Sequence, residues 1–252
     1  MPGLDSTQRF SSRVENYLRF RPSYPKQVIE ALERDCGLTC DSTVAEIAFG
    51  TGIFTKLLLE HGNPVLGVEP NPEMRRAGEE FLQPYRKFMS LSGTAEATTL
   101  PDASVDFVAA AQAAHWFDVP RARREFTRIL KPRGWLVLLW NERQTDSTPF
   151  LRDYEQLLRK YGTDYEEVRH EHTDVGAFFD PHPYRERTFA FRQEFDYRGA
   201  EGRLLSSSYA PGPDHPRHQP MLRELGRVFD LRQQNGKIAF EYTTRLYCGR
   251  MA

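Results

Sequence analysis

Apolar residues along this chain concentrate in short runs set between amphipathic stretches. Ser42–Ile47, Pro64–Val68, Lys87–Leu91, Asp106–Ala111 and Trp135–Trp140 are the runs. The last, WLVLLW, is apolar throughout, as expected of a strand buried on both faces. Between the runs lie stretches of helical period. Lys26–Asp35 carries Val28, Ile29 and Leu32 on one face and follows Pro25, and Phe54–His61 follows a glycine turn. Glu73–Phe81 starts after Pro70-Asn71-Pro72, a stop and start signal, and Pro120–Leu130 is closed by Lys131-Pro132-Arg133-Gly134. Strands alternating with helices predict a doubly wound, mostly parallel α/β sheet with helices on both faces.

The texture changes after Asn141. Gln144–His182 is rich in Tyr, Asp, Glu and His and reads as helical or irregular. Arg187–Tyr197 alternates like an exposed edge strand, and Lys237–Cys248 alternates again. Gly199–Asn235 reads as two helices around a Pro/His-rich turn, Pro211–Pro220. The expectation is therefore seven strands with an antiparallel terminal strand closing the sheet, and helical insertions forming a lid.

Composition narrows the function. A net charge of −1 over 252 residues argues against a nucleic-acid scaffold. Arg121, Arg123, Arg124 and Arg128 read as the wet face of one helix. The apolar stretches near Phe107–Phe117 and Trp135–Trp140 are too short to span a bilayer. The cysteines, Cys36, Cys40 and Cys248, are odd in number, and the first residues show no secretory apolar region, so reduced thiols in the cytoplasm are expected. His170 and His172 sit in a charged stretch and read as solvated, and His182, His215 and His218, near prolines, show no metal-ligand spacing.

The chemistry begins at Thr43–Gly52, TVAEIAFGTG. A buried strand leads into Gly50-Thr51-Gly52, and a helix follows. Glycine lets backbone approach a ligand, and a helix start offers free N–H groups. Seventeen residues beyond Gly52 the second strand ends in Glu69, a carboxylate able to accept both hydroxyls of a ribose. This is half a nucleoside site. A dinucleotide fingerprint would need glycine at 48, 50 and 53, and the chain has Ala48, Gly50 and Ile53.

The spacing acidic-x-small-x-Gly-x-Gly, here Glu46, Ala48, Gly50 and Gly52, resembles the S-adenosylmethionine loop of class I methyltransferases. The resemblance covers roughly Thr43–Asn141. It implies a ribose grip at Glu69, with Pro70 and Met74 beside it in GVEPNPEM, and an adenine turn at Ala95 and Glu96. It places Gln112 and the rest of QAAHWFD where the loop after a strand faces the donor methyl. The chain departs from the family's pattern where Ala48 and Arg133 stand in place of the usual glycine and where the acidic residue is Glu rather than the more usual Asp.

On this likeness the chain is one methyltransferase domain over 1–252. It divides into an N-terminal helical cap (1–41), a cofactor-binding core (42–141), and a substrate lid with closing strands (142–252). S-adenosyl-L-methionine is the expected cofactor and a small molecule the expected acceptor, with no nucleic acid, membrane or metal, in a monomer or homodimer. His115 is the candidate general base. Tyr17, Arg21, Tyr24, His115, Trp116, Asn141, Arg143 and Tyr209 are the candidate acceptor contacts. Lid aromatics such as Tyr154, Tyr161, Tyr165, Phe178 and Phe179 suit an aromatic or hydrophobic acceptor. A non-catalytic binding module on the same fold is the alternative, and an NAD-dependent oxidoreductase a distant third.

Overall fold

The computed structural model describes residues 19–165 and 173–251. Tyr17, His170 and His172 lie outside them. The seven strands are β1 (Val44–Ile47), β2 (Val65–Val68), β3 (Phe88–Leu91), β4 (Val105–Ala111), β5 (Leu130–Arg143), β6 (Tyr184–Phe195) and β7 (Ile238–Arg250). They form one sheet in the order β3-β2-β1-β4-β5-β7-β6. β1 to β5 are mutually parallel, and β7 runs antiparallel between β5 and β6. The helices are α1 (Gln27–Cys36), α2 (Ile53–His61), α3 (Pro72–Leu82), α4 (Val119–Ile129), α5 (Pro149–Tyr161), α6 (Gly176–Phe179), α7 (Tyr197–Leu205) and α8 (His218–Arg232).

Period-two alternation sorts the strand residues between two cores. Val44, Val65, Phe107, Ala109, Val137 and Leu139 pack with α1 and α2. Ala45, Ile47, Val108, Ala110, Leu136 and Leu138 pack with α4 on the other face, around Phe126 and Ile129. Each fully buried Val, Leu or Phe contributes about 1.5–3 kcal/mol, so the sheet's short apolar runs hold the frame rigid. A third core joins α5, α7 and α8 to β7 through Tyr154, Leu158, Leu204, Leu225 and Phe240. Among the described residues no helix is long and apolar enough to cross a membrane.

The sheet departs from the sequence expectation at β5. The strand was expected to stop at Trp140; it runs on through Asn141, Glu142 and Arg143, which pair with Thr244, Thr243 and Tyr242 of β7. Pairing along β7, rather than apolar content, extends it. At its start Lys131–Gly134 lies within the strand as an irregularity against β4, where the register shifts between Val105 and Phe107. Arg133 there takes φ +67°, the left-handed conformation of the glycine it replaces. The helix expected from about Pro220 onward starts at His218, inside the predicted turn.

Strand order reverses between β1 and β4. Such a switch point opens a crevice at the carboxyl ends of the strands, where open α/β sheets bind ligands.

Candidate active site

Two adjoining cavities occupy that crevice. The larger has a volume of ≈ 190 Å³ and runs from the glycine loop past Glu69 to Ala95, Glu96 and Trp116. The smaller, ≈ 50 Å³, is bounded by Arg21, Tyr24, Glu46, Gly50, Thr51 and Phe54. Ala48, Gly50, Ala111 and Gln112 belong to both walls.

The loop between β1 and α2 is wound through left-handed backbone: Ala48 has φ +56°, Gly50 φ +59° and Gly52 φ +86°. Gly52 does not line either cavity. It caps α2, and a Cβ there would lie 2.6 Å from Leu82 Cδ1. Its role is the turn. Gly50 is the residue at the wall; a Cβ there would meet Met74 Cε, which lines the same cavity, at 3.4 Å. Gln112 is also left-handed, at φ +58°, held by its N–H to Leu139 O at 2.8 Å and its Nε2 to Asn141 O at 3.3 Å. Two strained non-glycine residues thus sit in the shared wall, a placement typical of ligand sites.

Glu69 is buried, and burial raises its pKa. The backbone N–H of Asn71 donates to Oε1 and that of Gly50 to Oε2, both at 2.9 Å. Each oxygen keeps a second lone pair at the cavity wall, the geometry for a vicinal diol. Pro70 and Met74 line the same wall. Asn71 lines it too and caps α3, accepting from the Met74 N–H at 2.9 Å. The sequence marks Asn71 as a stop signal; the residues Asn-Pro before a helix also carry the cap signal. Ala95 and Glu96 close the far end, and Glu96 Oε1 accepts from the Asp118 N–H at 3.0 Å. The Thr98–Glu125 pair fixes this turn from behind: Glu125 Oε1 accepts from the Thr98 N–H at 2.8 Å and its hydroxyl at 2.5 Å.

Glu46 lies at the smaller cavity. Burial pushes its carboxyl up to about 8; the neighbouring Glu69 adds to this and the Thr55 hydroxyl, 2.5 Å away, opposes it. The buried hydroxyl of Thr51 has no partner among the described residues and borders the same space, a polar group left for a ligand. Tyr24 packs edge-on against Phe54 with centroids 5.2 Å apart, and Arg21 donates to Ser206 O at 3.1 Å while lining the cavity.

The remaining candidates separate. Ala113, Trp116 and Phe117 form the larger cavity's wall, and Trp116 is 39% exposed. His115 lies against Trp116, centroids 4.8 Å apart and rings tilted by 46°, and is not among the residues that line this cavity. Asn141 lies on β5, not past it. Its amide donates to Ser23 O at 2.9 Å and accepts from the Thr244 hydroxyl at 2.6 Å, tying the segment that carries Arg21 and Tyr24 to the sheet. Arg143, also on β5, is buried against Glu155 at 2.6 Å and the Tyr165 hydroxyl at 2.9 Å. Tyr209 packs edge-on with Tyr165 at 4.9 Å, beside that ion pair and away from both cavities.

Comparison with known proteins finds methyltransferases. Residues 45–138 match the family model described as a methyltransferase domain. An uncharacterized methyltransferase of Mycobacterium tuberculosis is 37% identical over 158 residues, 63% of this chain and 62% of its own length. One from Schizosaccharomyces pombe is 34% identical over 155 residues, 60% of this chain and 59% of its own. The chain thus spans about three fifths of the curated relatives it matches. A solved structure assigned as a type II methyltransferase, from Anaeromyxobacter dehalogenans, superposes with TM-score 0.67 at 20% identity, over 92% of this chain and 98% of that one. Another, assigned to antibiotic biosynthesis in Anabaena variabilis, gives 0.63 at 20% identity over the same shares. These two likenesses carry the fold alone.

Proposed function

From a chain whose core is a class I methyltransferase domain, we infer an enzyme that moves a methyl group from S-adenosylmethionine to a small-molecule acceptor. One observation carries the reading: the larger cavity joins a diol-accepting carboxylate, Glu69, to a left-handed glycine loop and to the Ala95-Glu96 turn. In this reading the ribose lies on Glu69, the adenine between Met74 and Ala95, and the amino-acid tail in the smaller cavity. There Arg21 is the partner for its carboxylate, while Thr51 and the carboxyl of Glu46 are partners for its ammonium.

The cofactor supplies a methyl group already activated on a sulfonium. The protein's share is alignment and exclusion of water, which can supply up to roughly 7–11 kcal/mol in ideal cases. Trp116, Phe117 and Ala113 wall off the acceptor side. His115 is the candidate base for an acceptor that arrives protonated, since an imidazole takes a proton near neutral pH; from its place beside Trp116 it reaches the acceptor only when that ring turns aside. The acceptor enters under α5, α7 and α8.

Calorimetric titration with S-adenosylhomocysteine tests the reading; absence of binding at millimolar ligand overturns it. A non-catalytic module on the same fold is favoured by one observation, the strained Ala48 in the shared wall. It predicts S-adenosylhomocysteine binding without methyl transfer to any acceptor, and a large rise in affinity on Ala48→Gly.

A further inference from the structure

Beyond Arg21 lies a buried arginine whose partners among the described residues carry no charge. Arg203, on α7, is 4% exposed. Its Nε donates to the Tyr242 hydroxyl at 3.0 Å, and its Nη1 to the hydroxyls of Ser207 at 3.1 Å and Ser206 at 3.5 Å. All three partners are neutral, and Nη2 has no acceptor among the described residues. Arg143 stands nearby over the Tyr154 ring, 5.1 Å from its centroid, and takes Glu155 as its counter-ion. Glu155 is already shared with Arg159 and the Tyr165 hydroxyl.

A buried guanidinium surrounded by hydroxyls is poorly compensated, because neutral oxygens replace the hydration of a cation only in part. Cation–π contact with Phe240 and Tyr242, at 5.9 and 6.0 Å, adds a little. The field left over registers on Tyr209. Burial alone would raise its phenol; Arg203, Arg143 and Arg21 together outweigh burial and lower it. Negative charge is favoured in this place.

The place adjoins the smaller cavity through Arg21. Arg21 lines the smaller cavity and donates to Ser206 O, one turn of chain from Arg203. The cationic cluster therefore begins where the proposed methyl-donor space ends. Tyrosine rings surround it: Tyr165 and Tyr209 edge-on, and Tyr154 beneath Arg143.

We propose that Arg203, flanked by Arg143 and Tyr209, is the acceptor's anion subsite, and that the acceptor is a small organic acid whose carboxylate meets the unused edge of Arg203. The carboxylate is the handle. A guanidinium holds a planar carboxylate at fixed orientation, leaving another atom of the acceptor to face the methyl donor. This rests on the methyl-transfer reading.

The test uses benzoate and its neutral isostere benzamide as probes, titrated into the protein with and without S-adenosylhomocysteine. Benzoate is expected to bind at least tenfold tighter than benzamide. Arg203→Met is expected to weaken benzoate at least tenfold, with S-adenosylhomocysteine affinity within twofold of the parent. Equal binding of the two probes, or benzoate affinity unchanged in the variant, overturns the proposal. Phenylphosphonate binding tighter than benzoate overturns the assignment to carboxylates. Should Arg203→Met not fold, Arg203→Lys keeps the charge without the fork; at least a threefold loss is expected, and full retention overturns the proposal. Failure to bind S-adenosylhomocysteine overturns the methyl-transfer reading instead, and the benzoate titration of the ligand-free protein still decides the subsite.

Discussion

Replacing Ala48 by glycine puts the glycine loop to a quantitative test. Ala48 holds φ +56° in the wall common to both cavities. A left-handed conformation costs a non-glycine residue about 1–2 kcal/mol. Glycine removes that strain but gives the unfolded chain more freedom, which costs about 0.4–1 kcal/mol. The net gain is about 0.5–1 kcal/mol, equivalent to a rise in Tm of about 1–4 °C for a protein of this size. Removing the methyl also enlarges the junction of the two cavities, so affinity for S-adenosylhomocysteine should hold or improve. Thermal unfolding by circular dichroism reads the first effect and titration calorimetry the second. Ala48→Val is the companion variant: a β-branched side chain tolerates this φ worst, so Tm should fall. A lower Tm for Ala48→Gly would refute the reasoning, because glycine loses stability only where alanine was unstrained.

Gly52→Ala and Gly50→Ala should fail in different ways. At Gly52 the added Cβ meets Leu82 Cδ1 at 2.6 Å with φ +86°, so left-handed strain and overpacking together should cost about 2–4 kcal/mol and lower Tm by about 5–15 °C. At Gly50 the nearest contact is 3.4 Å; calorimetry should show cofactor affinity reduced at least tenfold with a smaller change in Tm. Glu46, with burial as the main cause, titrates near 8 in the folded protein against 4.5 as its ordinary value. Folded protein then holds the extra proton between these values, so unfolding free energy should fall as pH rises across that window, by up to about 5 kcal/mol. Denaturant titrations of the parent against Glu46→Gln should show this slope flattened in the variant. A cationic ligand beside Glu46 should expel that proton, so calorimetry in buffers of different ionisation enthalpy at pH 7 should record net proton release on S-adenosylmethionine binding. His115→Asn should lower kcat at least tenfold while S-adenosylhomocysteine affinity stays within twofold; an unchanged kcat would remove the base role.

The sheet was legible because its central strands are short apolar runs and its helices amphipathic. The extension of β5 was not, since Asn141, Glu142 and Arg143 look like the end of a strand until β7 is known to pair with them. For the same reason Asn141 and Arg143 read as loop candidates, whereas both side chains are committed to internal partners. Glu46, Ala48, Gly50, Glu69, Pro70, Met74, Ala95, Glu96 and Gln112 were legible as a set of cavity-lining residues because motif spacing puts them in or just after the carboxyl ends of β1 to β4, Met74 in the first turn of α3 included. Gly52 shared the same motif, yet the motif cannot separate a contact from a turn. Arg203 carried no signal. Its burial comes from the packing of α7 on β7, which local sequence does not encode.

The third core has an evolutionary consequence. It assembles from α5, α7, α8 and β7, whereas the segment matching the family model ends at residue 138, before all four. Mutations that repack it need not touch the glycine loop or Glu69. On the methyl-transfer reading, a lineage could therefore keep the glycine loop and Glu69 unchanged and exchange acceptors by altering the tyrosines of this core.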